Sequence, residues 1–206
     1  DVEQVVLGDS GVIHGARPGT VLVDCSTIPP ATTRKVAAAL AARGIDMLDA
    51  PVSGGETGAA AGTLSIMAGG KAEVFERMKP LLGLLGKTLV HVGDSGSGQV
   101  AKAANQLVLV VSIQGIAEAM MFAQANGVDF EPVWQALMKG FAGIKMLELF
   151  GPRMMQRQFV AGLDARLHHK DANIVVECAA ESHTPAPAVA LAAQAFNALM
   201  AREGRL

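Results

Sequence analysis

The chain has 206 residues, half of them apolar, which is enough to bury one large core or two small ones and excludes a disordered polymer. Its 17 Lys+Arg against 19 Asp+Glu give a formal charge of −2, so it lacks the basic field that holds nucleic acid or an anionic bilayer. Cys25 and Cys178 stand apart with no CxxC pair, which argues against a disulfide framework or a zinc knuckle and fits a reducing cytoplasm.

The opening, Asp1-Val-Glu-Gln4, is neither basic nor followed by a long apolar stretch, so no secretory signal is expected. It reads as the middle of an amphipathic helix without an initiator Met, and we expect further chain upstream. Thr20–Cys25 is a short β-branched run behind Pro18-Gly19 and predicts a buried strand. Pro29-Pro30, the Ala-rich stretch to Ala42 and the stop at Gly44 predict a helix. Ile45–Asp49, Leu64–Ala68 and Thr88–Val92 predict further strands, and Lys71–Leu85 a helix bent at Pro80. Strands separated by helices imply a mainly parallel sheet covered on both faces, a Rossmann-type α/β arrangement.

The pattern changes at a boundary near Asp94–Gly98, beyond which every periodic segment is helical. The first of these segments runs to Asn126-Gly127 and is apolar nearly all round, the mark of a helix covered on every side. Ser112, Gln114, Gly115 and Glu118 interrupt it, so it falls short of the roughly 18 unbroken apolar residues of a membrane span. Further helices are expected over Asp129–Lys139, Gly143–Phe150, Met154–Gln158, Leu163–Ser182 and Pro187–Glu203. The expected fold is therefore the C-terminal part of a Rossmann-type domain, residues 1–95, followed by an all-α domain with a long spine helix, residues 96–206.

Three clusters carry candidate chemistry. Ser53-Gly54-Gly55 follows a strand, where converging backbone amides and a hydroxyl suit a carboxylate or phosphate; an ordinary tight turn has the same look. The glycine-rich stretch Gly58–Thr63 is expected to enlarge that loop. Lys102, Asn105 and Gln106 share one face near the start of the spine helix. A lysine there is either a surface residue or a cleft group, and in a cleft the positive helix end lowers its proton affinity and makes it a candidate acid. His168-His169-Lys170-Asp171 sits within a helical segment, where adjacent histidines diverge; it reads as a solvated face and not as a metal site, and no other metal site is expected. Trp134 reads as core, and Cys25 as a small buried hydrophobe with no adjacent His partner.

Taken in order, Asp24-Cys-Ser-Thr-Ile-Pro-Pro30, Asp49-Ala-Pro-Val-Ser-Gly-Gly55 with Gly58 and Gly62-Thr-Leu64, Gly96-Ser-Gly-Gln-Val-Ala-Lys102 with Asn105, and Lys170-Asp171 resemble the β-hydroxyacid dehydrogenases along essentially the whole chain. The resemblance implies an NAD- or NADP-dependent oxidoreductase interconverting a small 3-hydroxy acid and its semialdehyde, working as a homodimer or homotetramer with neither nucleic acid nor membrane as partner. By position, Lys102 matches the catalytic lysine, Ser53, Gly54 and Gly55 the substrate-carboxylate loop, and Asn105 and Gln106 the substrate-holding pair. Ser26 and Thr27 match the strand end that approaches the nicotinamide, and Lys170 matches a cofactor contact. Asn-Gln at 105–106 and Leu167-His-His-Lys-Asp-Ala172 are similar to the tartronate semialdehyde reductase branch. A 3-hydroxyisobutyrate, threonate or glyoxylate/succinic semialdehyde enzyme is the alternative, and a non-catalytic module with the same fold the distant one. The family's GxGxxG turn after the first strand and its NAD/NADP selector are not found in these residues.

Overall fold

The computed structural model describes residues 1–160, 162 and 164–203, and Leu163, the expected first residue of one helix, lies outside them. The chain forms two compact units, Asp1–Ala104 and Asn105–Leu206. The first contains α1 (Val2–Leu7), α2 (Val12–Gly15), β1 (Val21–Asp24), α3 (Pro30–Ala41), β2 (Asp46–Asp49), β3 (Val52–Ser53), α4 (Gly55–Ala61), β4 (Leu64–Gly69), α5 (Ala72–Leu82) and β5 (Gly86–Gly93). Helix α6 (Ser97–Ala125) runs on into the second unit, followed by α7 (Phe130–Lys139), α8 (Lys145–Met155), α9 (Ala165–Glu181) and α10 (Pro187–Glu203).

The sheet is mixed, where a mainly parallel one was expected. β1 pairs with β2 and β4 with β5 in parallel, but β3 runs antiparallel to β4 and β2 touches β4 through the single pair Asp49↔Gly69. The reason is the run from Asp49 to Ser53, which is handed from one neighbour to the other. Ala50 N–H still donates to the Asp24 carbonyl of β1 at 2.8 Å, while the Pro51 carbonyl already accepts from Met67 N–H of β4 at 3.0 Å. The connection onward to β4 holds only the seven-residue α4, shorter than a parallel crossover needs. The stretch expected to enlarge the loop at Gly58–Thr63 is thus mostly helix, closed by Gly62 in the left-handed region at φ 62°.

Alternate residues of β2 enter different cores, as a strand covered on both faces requires. Leu48 packs with Ile66, Ala68, Val74, Phe75 and Leu82. Met47 packs with Val6, Val36, Leu40 and Ile45. The next residue, Asp49, is fully buried and anchors α6: its Oδ1 accepts from Gly96 N–H at 2.8 Å and its Oδ2 from Gln99 N–H at 3.0 Å. Burial pushes the Asp49 pKa up, and the hydrogen bonds from Gly96 and Gln99 oppose that rise. The approach is close enough to demand glycine: a Cβ at Gly98 would lie 2.4 Å from the Met67 carbonyl oxygen and 2.5 Å from that of Asp49.

In the second unit Asp129 caps α7 and Asp164 caps α9, each accepting a backbone N–H two residues on. Two helices expected around Gly151-Pro152 are one, α8, which runs through both residues. There Gly151 faces Trp134, whose ring leaves no room for a Cβ, and Trp134 Nε1 donates to the Leu147 carbonyl at 3.1 Å. The spine helix α6 is not covered on every side. Lys102, Ala103, Gln106, Val110 and Ile116 are buried, whereas Val100, Val108, Met121 and Phe122 are exposed in this single chain.

Two glycines of α6 should respond oppositely to alanine. Gly98→Ala is expected to cost about 2–4 kcal/mol through backbone clash. Gly115→Ala, with nothing within 4 Å of the new Cβ, should gain up to about 1 kcal/mol from helix propensity. Thermal unfolding of both variants checks the pair; equal effects would contradict the packing described.

Candidate active site

In the first unit the site is built at the carboxyl ends of the strands, where α/β sheets bind ligands. Beyond β1, the buried Asp24 accepts from Ser26 N–H through Oδ1 at 2.9 Å. Gln99, on the first turn of α6 and 1% exposed, clamps the same segment: its Nε2 donates to the Ser26 carbonyl at 2.8 Å and its Oε1 accepts from Ile28 N–H at 3.2 Å. Ser26 remains exposed and Thr27 half-buried on this tethered loop. One buried residue therefore ties the strand-end loop to the helix that carries Lys102.

Ser53 closes β3 opposite Ser65 of β4. The chain then turns through Gly54 at φ 136° and Gly55 at φ 62°, conformations that L side chains avoid. A Cβ on Gly54 would meet the Leu64 side chain at 3.0 Å, whereas nothing lies within 4 Å of the corresponding point on Gly55. The turn therefore leaves main chain open at Gly55 beside the half-buried Ser53.

Lys102 lies three residues beyond Gln99 on the same helix face, and the residue is only 9% exposed. A surface lysine is thereby excluded. The glycine turn Gly96-Ser-Gly98 just before it has the outward look of a phosphate-binding turn, since it follows β5 and opens a helix. Its Gly96 and Gln99 amides, however, are already given to the Asp49 carboxylate.

In the second unit the polar residues of α6 join α9. Asn105 Nδ2 donates to Gln106 Oε1 at 2.8 Å, and Gln106 Nε2 donates to Asp171 Oδ2 at 2.6 Å. Lys170 Nζ lies 3.2 Å from the other Asp171 oxygen. Asn105 is half-buried, Gln106 buried and Lys170 exposed. The stretch expected to be a solvated face is solvated only in part, because Asp171 is 6% exposed and bonded inward. His169 Nε2 lies 2.7 Å from Asn197 Oδ1 of α10. Among the described residues no group of His, Cys, Asp and Glu could hold a metal ion. Cys25 is exposed and not buried. Desolvation of its sulfur, then the Asp24 charge, push its pKa up, away from the nucleophilic thiolate.

Sequence reasoning missed Asp49, Gln99 and Asp171 as parts of this architecture. The available signal was a polar residue at each apolar position: Asp49 ends an apolar strand, Gln99 lies three residues before Lys102, and Asp171 precedes the buried Ala172 on α9.

The fold is shared with known proteins. Residues 1–93 match the family model for the NAD-binding domain of 6-phosphogluconate dehydrogenase, and residues 96–205 that for the NAD-binding region of NADP-dependent 3-hydroxyisobutyrate dehydrogenase. The chain is 44% identical to 2-hydroxy-3-oxopropionate reductase of Escherichia coli strain K12 over 203 residues, covering 98% of this chain and 70% of that protein. It is 39% identical to 3-hydroxyisobutyrate dehydrogenase of Pseudomonas aeruginosa over 203 residues, covering 95% of this chain and 68% of that protein. The solved structure of Mycobacterium tuberculosis 3-hydroxyisobutyrate dehydrogenase with L-serine superposes with a TM-score of 0.86 at 31% identity, covering 92% of this chain and 68% of that one. A Rossmann-like unit with a mixed sheet, a long helix opening an all-helical unit and these matches place the chain among the β-hydroxyacid dehydrogenases, oxidoreductases that act on a CH–OH group with NAD or NADP.

Proposed function

We propose that this chain interconverts tartronate semialdehyde (2-hydroxy-3-oxopropionate) and its hydroxy acid, with Lys102 as the proton-transferring group. The observation that carries the reading is the burial of Lys102 on a helix whose first turn is fixed by Asp49 and whose Gln99 holds the β1 loop. The Asn105-Gln106 pair and the 44% identity to a 2-hydroxy-3-oxopropionate reductase favour this substrate among small 3-hydroxy acids. L-Serine, present in the solved relative, is also a small 3-hydroxy acid with a free carboxylate.

The residues fit the nicotinamide end of the cofactor, for Ser26 is exposed on a tethered loop at the carboxyl end of a parallel strand. Reduced NAD or NADP, when bound, supplies the hydride. In our reading Ser26 and Thr27 line that end, and Lys170, paired with Asp171, is a further cofactor contact. The open main chain at Gly55, with Ser53 and Gly54, takes the substrate carboxylate, and the Asn105-Gln106 pair steadies the substrate, Asn105 by contact and the buried Gln106 from behind it. Lys102 hydrogen-bonds the carbonyl oxygen, stabilises the negative charge that grows there and delivers a proton to it; in oxidation it takes the proton back. Residues 1–95 then act as the cofactor domain and residues 96–206 as the substrate and assembly domain.

The exposed Met121 and Phe122 late in α6 support a homodimer or homotetramer, in which a subunit contact would cover these two neighbouring side chains. The 29-residue α6 is long and apolar enough to cross a bilayer by length and composition. Its buried stripe of Gln99, Lys102 and Gln106 supports instead a helix lining a ligand site. The net charge of −2 and the two cysteine thiols accord with a cytoplasmic enzyme that binds neither nucleic acid nor membrane.

The test is loss of reduced-nicotinamide absorbance by the full-length gene product, offered NADH or NADPH with tartronate, methylmalonate or succinic semialdehyde. Turnover is expected to be highest with tartronate semialdehyde and to fall about 10²–10⁴-fold in Lys102→Ala. Full turnover in that variant would refute the assignment of Lys102. For assembly, light scattering is expected to give twice or four times the chain mass, and a monodisperse monomer would count against the oligomer.

A further inference from the structure

Asp171 is a buried acid that the mechanism above leaves almost unused. We infer that Asp171 is a positioning residue that sets which hydrogen-bonding atom Asn105 presents to the substrate, and so selects substrates bearing a hydroxyl beside the reacting carbon. The inference rests on the reading of this site as a β-hydroxyacid site.

A carboxylate only accepts, whereas each carboxamide has a donating and an accepting end. Gln106 and Asp171 are 3% and 6% exposed, and their contact is 2.6 Å. The end of Gln106 that faces Asp171 must therefore be the NH2, because the reverse would bury oxygen against oxygen. That forces Gln106 Oε1 towards Asn105, which must answer with its own NH2, as the 2.8 Å contact shows. Asn105 Oδ1 is then left as the acceptor for a ligand. Lys170, 3.2 Å from the second Asp171 oxygen and with a side chain 46% exposed, balances the charge from the solvent side. One carboxylate thus orients two amides in series across two helices.

An acceptor at Asn105 rewards a substrate hydroxyl, which donates. Tartronate semialdehyde carries such a hydroxyl at C2; malonate semialdehyde is the same molecule without it. Asp171→Asn removes the direction of the relay, since an asparagine can face Gln106 with either end.

The experiment compares kcat/KM for the two semialdehydes on the same preparation of full-length enzyme, so that any loss of folded protein cancels in the ratio. Wild type is expected to prefer tartronate semialdehyde. Asp171→Asn is expected to lower that preference about tenfold or more, mainly through the KM for tartronate semialdehyde. Gln106→Met, which keeps the length and removes the relay, should do the same, and Asp171→Glu should restore part of the preference. A preference unchanged in both Asp171→Asn and Gln106→Met would overturn the inference while leaving the enzyme assignment intact, as would a wild type that does not distinguish the two compounds. Turnover of neither semialdehyde by wild type would overturn the functional reading and this inference with it.

Discussion

The structure of the site depends on the hydrogen bonds between the Asp49 carboxylate and the first turn of α6. Asp49 ends β2, whose neighbouring residues Met47 and Leu48 are locked into two separate cores, so its position is fixed by packing on both sides of the sheet. Its two oxygens take the Gly96 and Gln99 amides, which sets where the helix begins. The same approach brings Gly98 to within a Cβ's width of the Asp49 and Met67 carbonyls. Each later residue of α6 then follows by helical geometry: Gln99 reaches back to the loop after β1, and Lys102 lies one turn further on the buried face. An acid in a core is normally a liability, and here its desolvation is offset by groups that an α-helix start leaves without partners.

A second buried carboxylate lies in the second unit. Asp171 sits on α9 and engages α6 through Gln106. Both acids act on the polar face of one helix, the first through backbone amides and the second through side-chain amides. The two devices differ in consequence. Asp49 governs where the helix starts, whereas Asp171 governs which way amides near a ligand are turned. This division accounts for an almost wholly apolar helix that carries a stripe of Gln99, Lys102, Asn105 and Gln106.

Much of the fold was legible in the sequence because strand and helix periods differ and glycine and proline mark their ends. Strand β1, helix α3 and strand β4 fall where Thr20–Cys25, Ala31–Ala42 and Leu64–Ala68 placed them, to within a residue or two. What was not legible depended on pairing. Nothing in Asp49–Ser53 states that it passes from β1 to β4, and that handover makes the sheet mixed. Gly151-Pro152 looked like a helix break because local propensity cannot register the Trp134 ring that packs there. The Lys102–Asn105–Gln106 face could be read from spacing, but the partners that order it are distant in sequence. Gln99 meets Ser26 and Ile28, and Gln106 meets Asp171. Cys25 misled in the opposite direction, since a thiol at a strand end is usually covered and this one is exposed.

Whether Lys102 is the group through which the site moves a proton is tested most directly by chemical rescue. Small primary amines added to the Lys102→Ala enzyme, with saturating reduced nicotinamide and tartronate semialdehyde, should restore turnover in proportion to amine concentration. The restored rate should vary systematically with the proton affinity of the amine at constant size. A variant that still binds cofactor and substrate, yet turns over at a rate indifferent to every amine, would contradict the account.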